Sequence, residues 1–242
     1  MRIGIDMMGG DFAPLETTLG ALHARRELDP NYSLVLIGNE PEIRAIMAQH
    51  GADGSGFEFV HTSEIIGMAE NPTKAFQQKT NSSITVGFHL LKEKRIDAFA
   101  SAGNTGAMMV GSMFAIKPIH GIIRPAISSI IPEEDGGVGI LLDVGINADC
   151  KPEMLQQYAV LGSLYAKHIL HIEQPTVGLM SIGEEEEKGN LLVKETHGLL
   201  KEMRDLRFVG NVEGRDLFND KADVVVCDGF TGNVMLKEAE SF

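Results

Sequence analysis

Short apolar runs bounded by turn residues alternate along this chain with longer stretches of helical periodicity, the pattern of an α/β protein with a largely parallel sheet. The runs fall at 2–6, 33–37, 57–61, 97–101, 126–131, 138–144, 176–182, 206–210 and 222–227, which predicts strands there and helices in the intervals. Leu15, Leu19 and Leu22 share one helical face after Pro14, and Ile84, Phe88 and Leu91 repeat the spacing after Asn81 and Ser82, both good capping types. Leu155, Tyr158, Leu161, Tyr165 and His168 form a third stripe. The segment 104–116 is apolar on every side and carries Gly106 and Gly111, so it reads as a buried helix that lets a neighbour come close. No linker rich in Pro, Gly or Ser divides the chain, and residues 1–242 are expected to form one continuous α/β unit. A last helix is expected from about Thr231 to Phe242, stopping without a C-cap, as in a chain shortened at that end.

Charge and composition remove several function classes. The chain has 21 Lys and Arg against 34 Asp and Glu, a net charge of −13 that repels a phosphate backbone, so no nucleic-acid partner is expected. Cys150 and Cys227 are too few for a disulfide framework or a cysteine-built zinc site, which points to a reducing, cytoplasmic compartment and to buried, inert thiols. The opening MRIGIDMMGGDF lacks the long apolar region of a signal peptide and reads as mature sequence from Met1. The most apolar helical stretch, 107–116, stops at Lys117 and Pro118, well short of the roughly 20 residues that cross a bilayer. His168 and His171 have no companion set of Asp, Glu or Cys and read as a solvated or core-edge pair, so no metal site is expected.

The usual nucleotide, serine-hydrolase and metalloprotease fingerprints are absent from the sequence. What stands out is a local repeat. DAFASAGNTGA (97–107) aligns without gaps on DVVVCDGFTGN (223–233), matching Asp97 with Asp223, Gly103 with Gly229, Thr105 with Thr231 and Gly106 with Gly232. Each copy runs from an apolar strand through a glycine turn into a helix start, which presents backbone N–H groups and a threonine hydroxyl at the positive end of a helix dipole. That arrangement suits phosphate or carboxylate, although Gly and Thr are also ordinary turn and cap residues. Three more polar turns follow strands: MGGD (8–11, with Gly10), DVGIN (143–147) and IGEEEEKGN (182–190). Ligands of open α/β sheets bind beyond the carboxyl ends of the strands, so these turns can converge on a cleft rich in Asp11, Asn104, Asp143, Asn147, Asn190, Asp228 and Asn233. Glu184 to Glu187 read as a solvated acidic turn. Lys188, the one cation in that turn, either meets an anionic ligand or pairs with Glu184 or Glu185, and Arg124 and Arg215 carry the same two readings.

These residues carry a resemblance. IGIDMMGGDFAP (3–14), SEIIGM (63–68), SAGNTGA (101–107), RPA (124–126), LLDVGINADCKPE (141–153), VGLMSIGEEEEKGN (177–190), GNVEGRD (210–216) and ADVVVCDGFTGNV (222–234) together resemble the bacterial phosphate acyltransferase family, in order and over essentially the whole chain. Met7 and Ile146 stand where that family often has alanine, and Phe12 where it often has histidine. The resemblance implies an isocitrate-dehydrogenase-like, phosphotransacetylase-like αβα sandwich, and an enzyme that makes acyl phosphate from acyl-(acyl carrier protein) and inorganic phosphate for phospholipid synthesis. It also implies a homodimer and possible peripheral association, at the inner face of the membrane, with the downstream glycerol-phosphate acyltransferase. No cofactor is implied, because the pantetheine arm belongs to the carrier protein.

Phosphate is already an anionic nucleophile near neutral pH, so attack on a thioester calls for positioning and charge stabilisation rather than an activated Ser or Cys. Lys188, Asp228 and Asn233 are the expected catalytic residues. Gly10, Asp11, Ser101, Asn104, Thr105, Asp143, Asn147, Asn190, Arg215, Gly229 and Thr231 are expected to hold substrate or phosphate, with the turns at 101–106 and 228–233 sharing phosphate and carbonyl. An acidic carrier protein needs a basic patch, for which Lys92, Lys94 and Arg95, or Lys201, Arg204 and Arg207, are the candidates. The competing readings are a phosphotransacetylase using acyl-CoA, an NAD-dependent dehydrogenase on the same fold, and an inactive, shortened binding module.

Overall fold

A computed structural model describes residues 1–241 of the 242-residue chain. Every strand read from the sequence is present, with ends displaced by at most two residues. The strands form two sheets rather than one, and the chain divides into two compact units, Met1–Pro118 and Ile119 onward. The boundary falls at Pro118, in the irregular stretch between Ala115 and Ser128, whose isoleucines Ile116, Ile119, Ile122 and Ile123 keep its composition from reading as a linker.

In the first unit β1 (Arg2–Asp6), β2 (Ser33–Gly38), β3 (Phe57–His61) and β4 (Ala98–Ala100) are all parallel, in the order β3-β2-β1-β4. The helices are α1 (Leu15–Glu27), α2 (Glu40–Gln49), α3 (Pro72–Gln78), α4 (Ser83–Lys92) and α5 (Thr105–Ala115). Because side chains alternate along a strand, Leu34 and Leu36 of β2 pack with Met7, Ala21, Ile43 and Met47, while Val35 and Ile37 pack with Leu90 and Ile96. Burial of both faces explains why this strand is apolar throughout. The Ile84 and Phe88 stripe of α4 is buried and Ser82 caps the helix, as the spacing predicts. In α1 the buried positions are Thr18 and Ala21, and Leu15 is exposed. Thr18 is polar, but its hydroxyl donates to the Pro14 carbonyl at 2.6 Å and can be buried. Helix α5 is buried on one side only. A Cβ on Gly111 would stand 2.1 Å from the Phe88 ring, whereas Met113 on the other side is 39% exposed.

The second unit holds β5 (Ser128–Pro132), β6 (Val138–Leu142), β7 (Thr176–Met180), β8 (Arg207–Val212) and β9 (Val224–Val226), in the order β5-β6-β9-β7-β8. All pairs are parallel except β5 with β6, a hairpin closed by a turn in which Gly136 takes φ +90. Its helices are α6 (Pro152–His168), α7 (Leu191–Lys201) and α8 (Gly229–Ala239). Ile140, Leu142, Val177, Leu179, Val224 and Val226 share a core with Leu155, Tyr158, Val193 and Leu200 of α6 and α7. Leu141, Val225 and Met180 form the opposite core, against which Met235 and Leu236 of α8 pack. The predicted α6 stripe holds at Leu155 and Tyr158, but Tyr165 and His168 are exposed. Gly162 takes the inner face there, because a Cβ on it would come within 2.5 Å of Val224. Helix α8 starts at Gly229, not Thr231, since Asp228 supplies its cap; Phe242, expected in this helix, lies outside the described residues. No described helix is long and apolar enough to cross a membrane.

Candidate active site

At the carboxyl edge of the second sheet, the turn after β6 and the turn after β9 are built against each other. Asp143 is 0% exposed, and its carboxylate accepts from the amides of Ile127 (3.1 Å), Ile146 (3.4 Å) and Asn147 (2.7 Å) and from Asn147 Nδ2 (2.7 Å). Asn147 Nδ2 also donates to the Pro125 carbonyl at 2.9 Å, and the Asn147 carbonyl accepts from the Gly229 amide at 2.8 Å. Such contact is possible only without side chains at the helix start: a Cβ on Gly229 would stand 2.8 Å from the Asn147 amide nitrogen, and one on Gly232 2.0 Å from the Asp143 carbonyl oxygen. Gly229 and Gly232 are there for close approach of two backbones, whereas in the first copy of the repeat a Cβ on Gly106 would meet the Pro72 ring at 2.7 Å. Gly145 lies in ordinary contact with the Asn233 side chain and is glycine for its φ of +121.

Two helices begin at this edge with the cap residues that the sequence offers. Asn190 accepts from the Val193 amide at 2.9 Å, and Asp228 accepts from the Thr231 amide at 2.9 Å and from Thr231 Oγ1 at 2.8 Å. Those oxygens are thereby committed to capping. The amides of Leu191 and Leu192 in α7, and of Phe230 in α8, have no partner among the described residues and carry the positive end of each helix dipole. Leu191, Leu192 and Phe230 line one crevice of about 660 Å³ with Asp149, Cys150, Asn190, Asp228 and Thr231. Behind it is a second cavity of about 450 Å³, walled by Leu155, Met180, Val193, Cys227 and Met235 and by Ser181, Asn190, Asp228 and Thr231. Asn190, Asp228 and Thr231 belong to both. Ser181, which the sequence reading passed over, places a buried Oγ in this wall with no hydrogen-bond partner among the described residues. Burial pushes the Cys150 thiol up to about 11, and burial likewise raises Cys227, so neither is a thiolate nucleophile at neutral pH.

The first unit repeats the construction at the ends of β1 and β4. Asp6, absent from the sequence candidates, is 1% exposed and accepts from the Met8 amide (3.0 Å) and from Ser101 Oγ (2.7 Å), which in turn accepts from the Gly103 amide (2.9 Å). Ser101 therefore ties the turn down. Asn104 caps α5 by accepting from the Ala107 amide at 3.0 Å, and its Nδ2 donates to the carbonyls of Gly67, Met68 and Glu70 at 3.1–3.2 Å. Both ends of that side chain are used, so what the turn offers a ligand is the amides of Thr105 and Gly106, unpartnered among the described residues. Asp11 and Thr105 are exposed, and Gly10 holds φ +110. The 101–106 and 228–233 turns thus belong to different units.

Of the cations, Lys188 is exposed and makes no ion pair among the described residues; Glu184 pairs with Lys221 and Glu186 with Lys201, both at 2.7 Å. Lys188 precedes the lining residues Gly189 and Asn190 and is not itself part of the wall. Arg215 is a surface residue paired with Glu213 at 3.0 Å. Arg204 and Arg207 line a polar hollow with Gln174 and Pro175 at the start of β7 and β8, the sheet edge opposite the crevice. Lys92, Lys94 and Arg95 lie just before β4, at the amino edge of their own sheet.

Comparison with known proteins gives the family and the fold. The family described as "Fatty acid synthesis protein" matches residues 1–242. The phosphate acyltransferase of Dictyoglomus turgidum is 49% identical over 240 residues, covering 99% of this chain and 71% of that protein. The chain belongs to the phosphate acyltransferase family. The phosphate acyltransferase of Geobacter sulfurreducens is 45% identical over 240 residues, with 99% and 68% covered. The fold is that of the EutD phosphotransacetylase from Staphylococcus aureus, at a TM-score of 0.68 and 19% identity over 100% of this chain and 82% of that one. A branched-chain phosphotransacylase from Enterococcus faecalis V583 gives 0.64 and 14%, with 100% and 84% covered. The α/β expectation holds, and this acyltransferase acts with phosphate and an acyl donor.

Proposed function

We propose that the crevice of the second unit is where phosphate attacks the acyl donor, and that the donor is acyl-(acyl carrier protein). The observation that carries the first part is the convergence of two helix amino termini, α7 and α8, on one crevice that adjoins an apolar cavity. Phosphate sits against the free amides of Leu191, Leu192 and Phe230, and Lys188 approaches from the rim to neutralise charge. A phosphate oxygen forms a bond to the thioester carbonyl carbon, the carbon–sulfur bond breaks, and the electron pair leaves with sulfur as a thiolate that takes its proton from solvent. The oxyanion that develops on the carbonyl is stabilised by fixed N–H dipoles, which need no reorganisation during the step. Asp143 and Asn147 hold the turn, and Asp228 orients Thr231, so these act through positioning. Asn233 supports the same turn from beside Gly145. The α5 turn, with Ser101, Asn104 and Thr105 behind Gly10 and Asp11, is a second anion-holding turn in its own unit. Arg215, in its surface pair, is left out of the site.

The carrier protein as donor, a homodimer, a cytoplasmic location and peripheral membrane association rest on the resemblance to the family alone. For docking, the edge occupied by Arg204 and Arg207 is unfavourable, whereas Arg124, Lys151 and Lys188 are exposed cations in loops at the carboxyl edge, Arg124 next to Pro125, whose carbonyl accepts from Asn147 Nδ2. The test is phosphate-dependent thiol release from acyl-carrier protein and from acyl-CoA of equal chain length. Higher kcat/KM with the carrier protein supports the reading. Equal or higher kcat/KM with acyl-CoA assigns the chain to the phosphotransacetylase type of reaction instead.

A further inference from the structure

The cavity behind the crevice is unusual in what lines it. Leu155, Met180, Val193 and Met235 come from α6, β7, α7 and α8, four elements that meet around about 450 Å³ of space. The cavity opens to solvent past Ile182, which is 83% exposed, so its apolar walls face water when empty and an apolar occupant would remove that surface from water. Its polar groups are segregated: Ser181, Asn190, Asp228 and Thr231 lie at strand and helix ends, and the last three also face the phosphate crevice. One boundary therefore separates an apolar space from an amide-lined one, and a carbonyl carbon under attack by phosphate has to sit at such a boundary.

We propose that this cavity takes the hydrocarbon chain of the acyl donor, and that Val193 and Met235 set how many carbons fit. The inference rests on the reading of the crevice as the reaction site and adds where the chain goes. A pantetheine arm is the other occupant to consider. It carries amides and hydroxyls that need partners when buried, and the Leu155, Met180, Val193 and Met235 walls supply none; a hydrocarbon needs none. Ser181 Oγ, buried and unpartnered at the end of β7, has its counterpart in the thioester carbonyl at the head of the chain.

The experiment measures kcat/KM at saturating phosphate for acyl thioesters from about four to about sixteen carbons, in which each methylene buried is worth about fourfold. Val193→Phe fills the cavity, and its loss of kcat/KM is expected to grow with chain length by about that factor for each methylene excluded. Met235→Ala enlarges it and moves the optimum to longer chains. Should Val193→Phe lose cooperative melting, Met235→Phe, at a half-buried position, takes its place. A loss equal for every chain length overturns the acyl-chain assignment while leaving the crevice as the site. No loss with any donor, from a variant that folds, likewise overturns the acyl-chain assignment, because Val193 lines the cavity and not the crevice; the crevice falls separately, if Leu191→Pro leaves the phosphate KM unchanged.

Discussion

Gly232 lies so close to Asp143 that a Cβ on it would stand 2.0 Å from the Asp143 carbonyl oxygen, with the Cys227 sulfur 2.9 Å away. The neighbour is backbone and cannot rotate aside. Gly232→Ala is therefore expected to destabilise the chain at or above the top of the roughly 1–3 kcal/mol range for overpacking, and to lower turnover by pushing α8 off the 143–147 turn. Gly20, inside α1, is the control: a Cβ there would meet nothing within 4 Å, and Gly20→Ala should stabilise by about 0.5–1 kcal/mol. Urea unfolding of both variants checks the pair, and similar values for the two would remove the close-approach argument.

Asp216 accepts from the Glu213 amide at 2.9 Å, Lys221 Nζ at 2.7 Å and Asn219 Nδ2 at 3.2 Å. Burial works to raise its pKa, but these donors outweigh it and hold the carboxyl below its usual range. Its contribution to stability is thus fully present above the unfolded value of about 3.9 and is lost as pH falls through the lower folded value. Asp216→Asn is expected to cost about 1–3 kcal/mol at neutral pH, and the gap to the parent should shrink below about pH 4. Urea unfolding at several pH values measures it; a gap that does not change with pH contradicts the assignment.

Lys188 makes no ion pair among the described residues, while its neighbours Glu184 and Glu186 are taken by other lysines. Lys188→Ala is expected to lower turnover by about 10- to 1000-fold, the range for losing one charge-stabilising group, with little change in melting temperature. Full activity at limiting phosphate would make it a surface residue.

Local pattern carried most of this architecture, because a strand's apolar run and a helix's cap are written within a few residues. Asn104, Asn190 and Asp228 were legible as polar residues before helices, yet whether a cap oxygen faces its own helix or a ligand depends on rotamers that spacing does not encode. The glycine repeat was legible too, but its reason was not, since the pairing of β9 with β6 joins segments 84 residues apart, as in Ile140 beside Val224. Asp6 and Ser181 escaped notice because nothing local distinguishes a strand-end Asp or Ser from a solvated one. The split into two sheets depends on which strands pair, and only tertiary contacts decide that.

The central claim is that free amides at the start of α7 hold phosphate, and Leu191→Pro tests it most directly. Leu191 is the first residue of α7, where proline is well tolerated, and Asn190 before it is already extended at φ −79 and ψ −179. The Leu191 side chain is 71% exposed, so the substitution removes one unpartnered N–H and little else. Steady-state kinetics with phosphate varied at fixed acyl donor should give a phosphate KM raised by about 10- to 100-fold, the worth of one hydrogen bond to a charged group, with the melting temperature maintained. An unchanged phosphate KM in a folded Leu191→Pro chain would contradict the account.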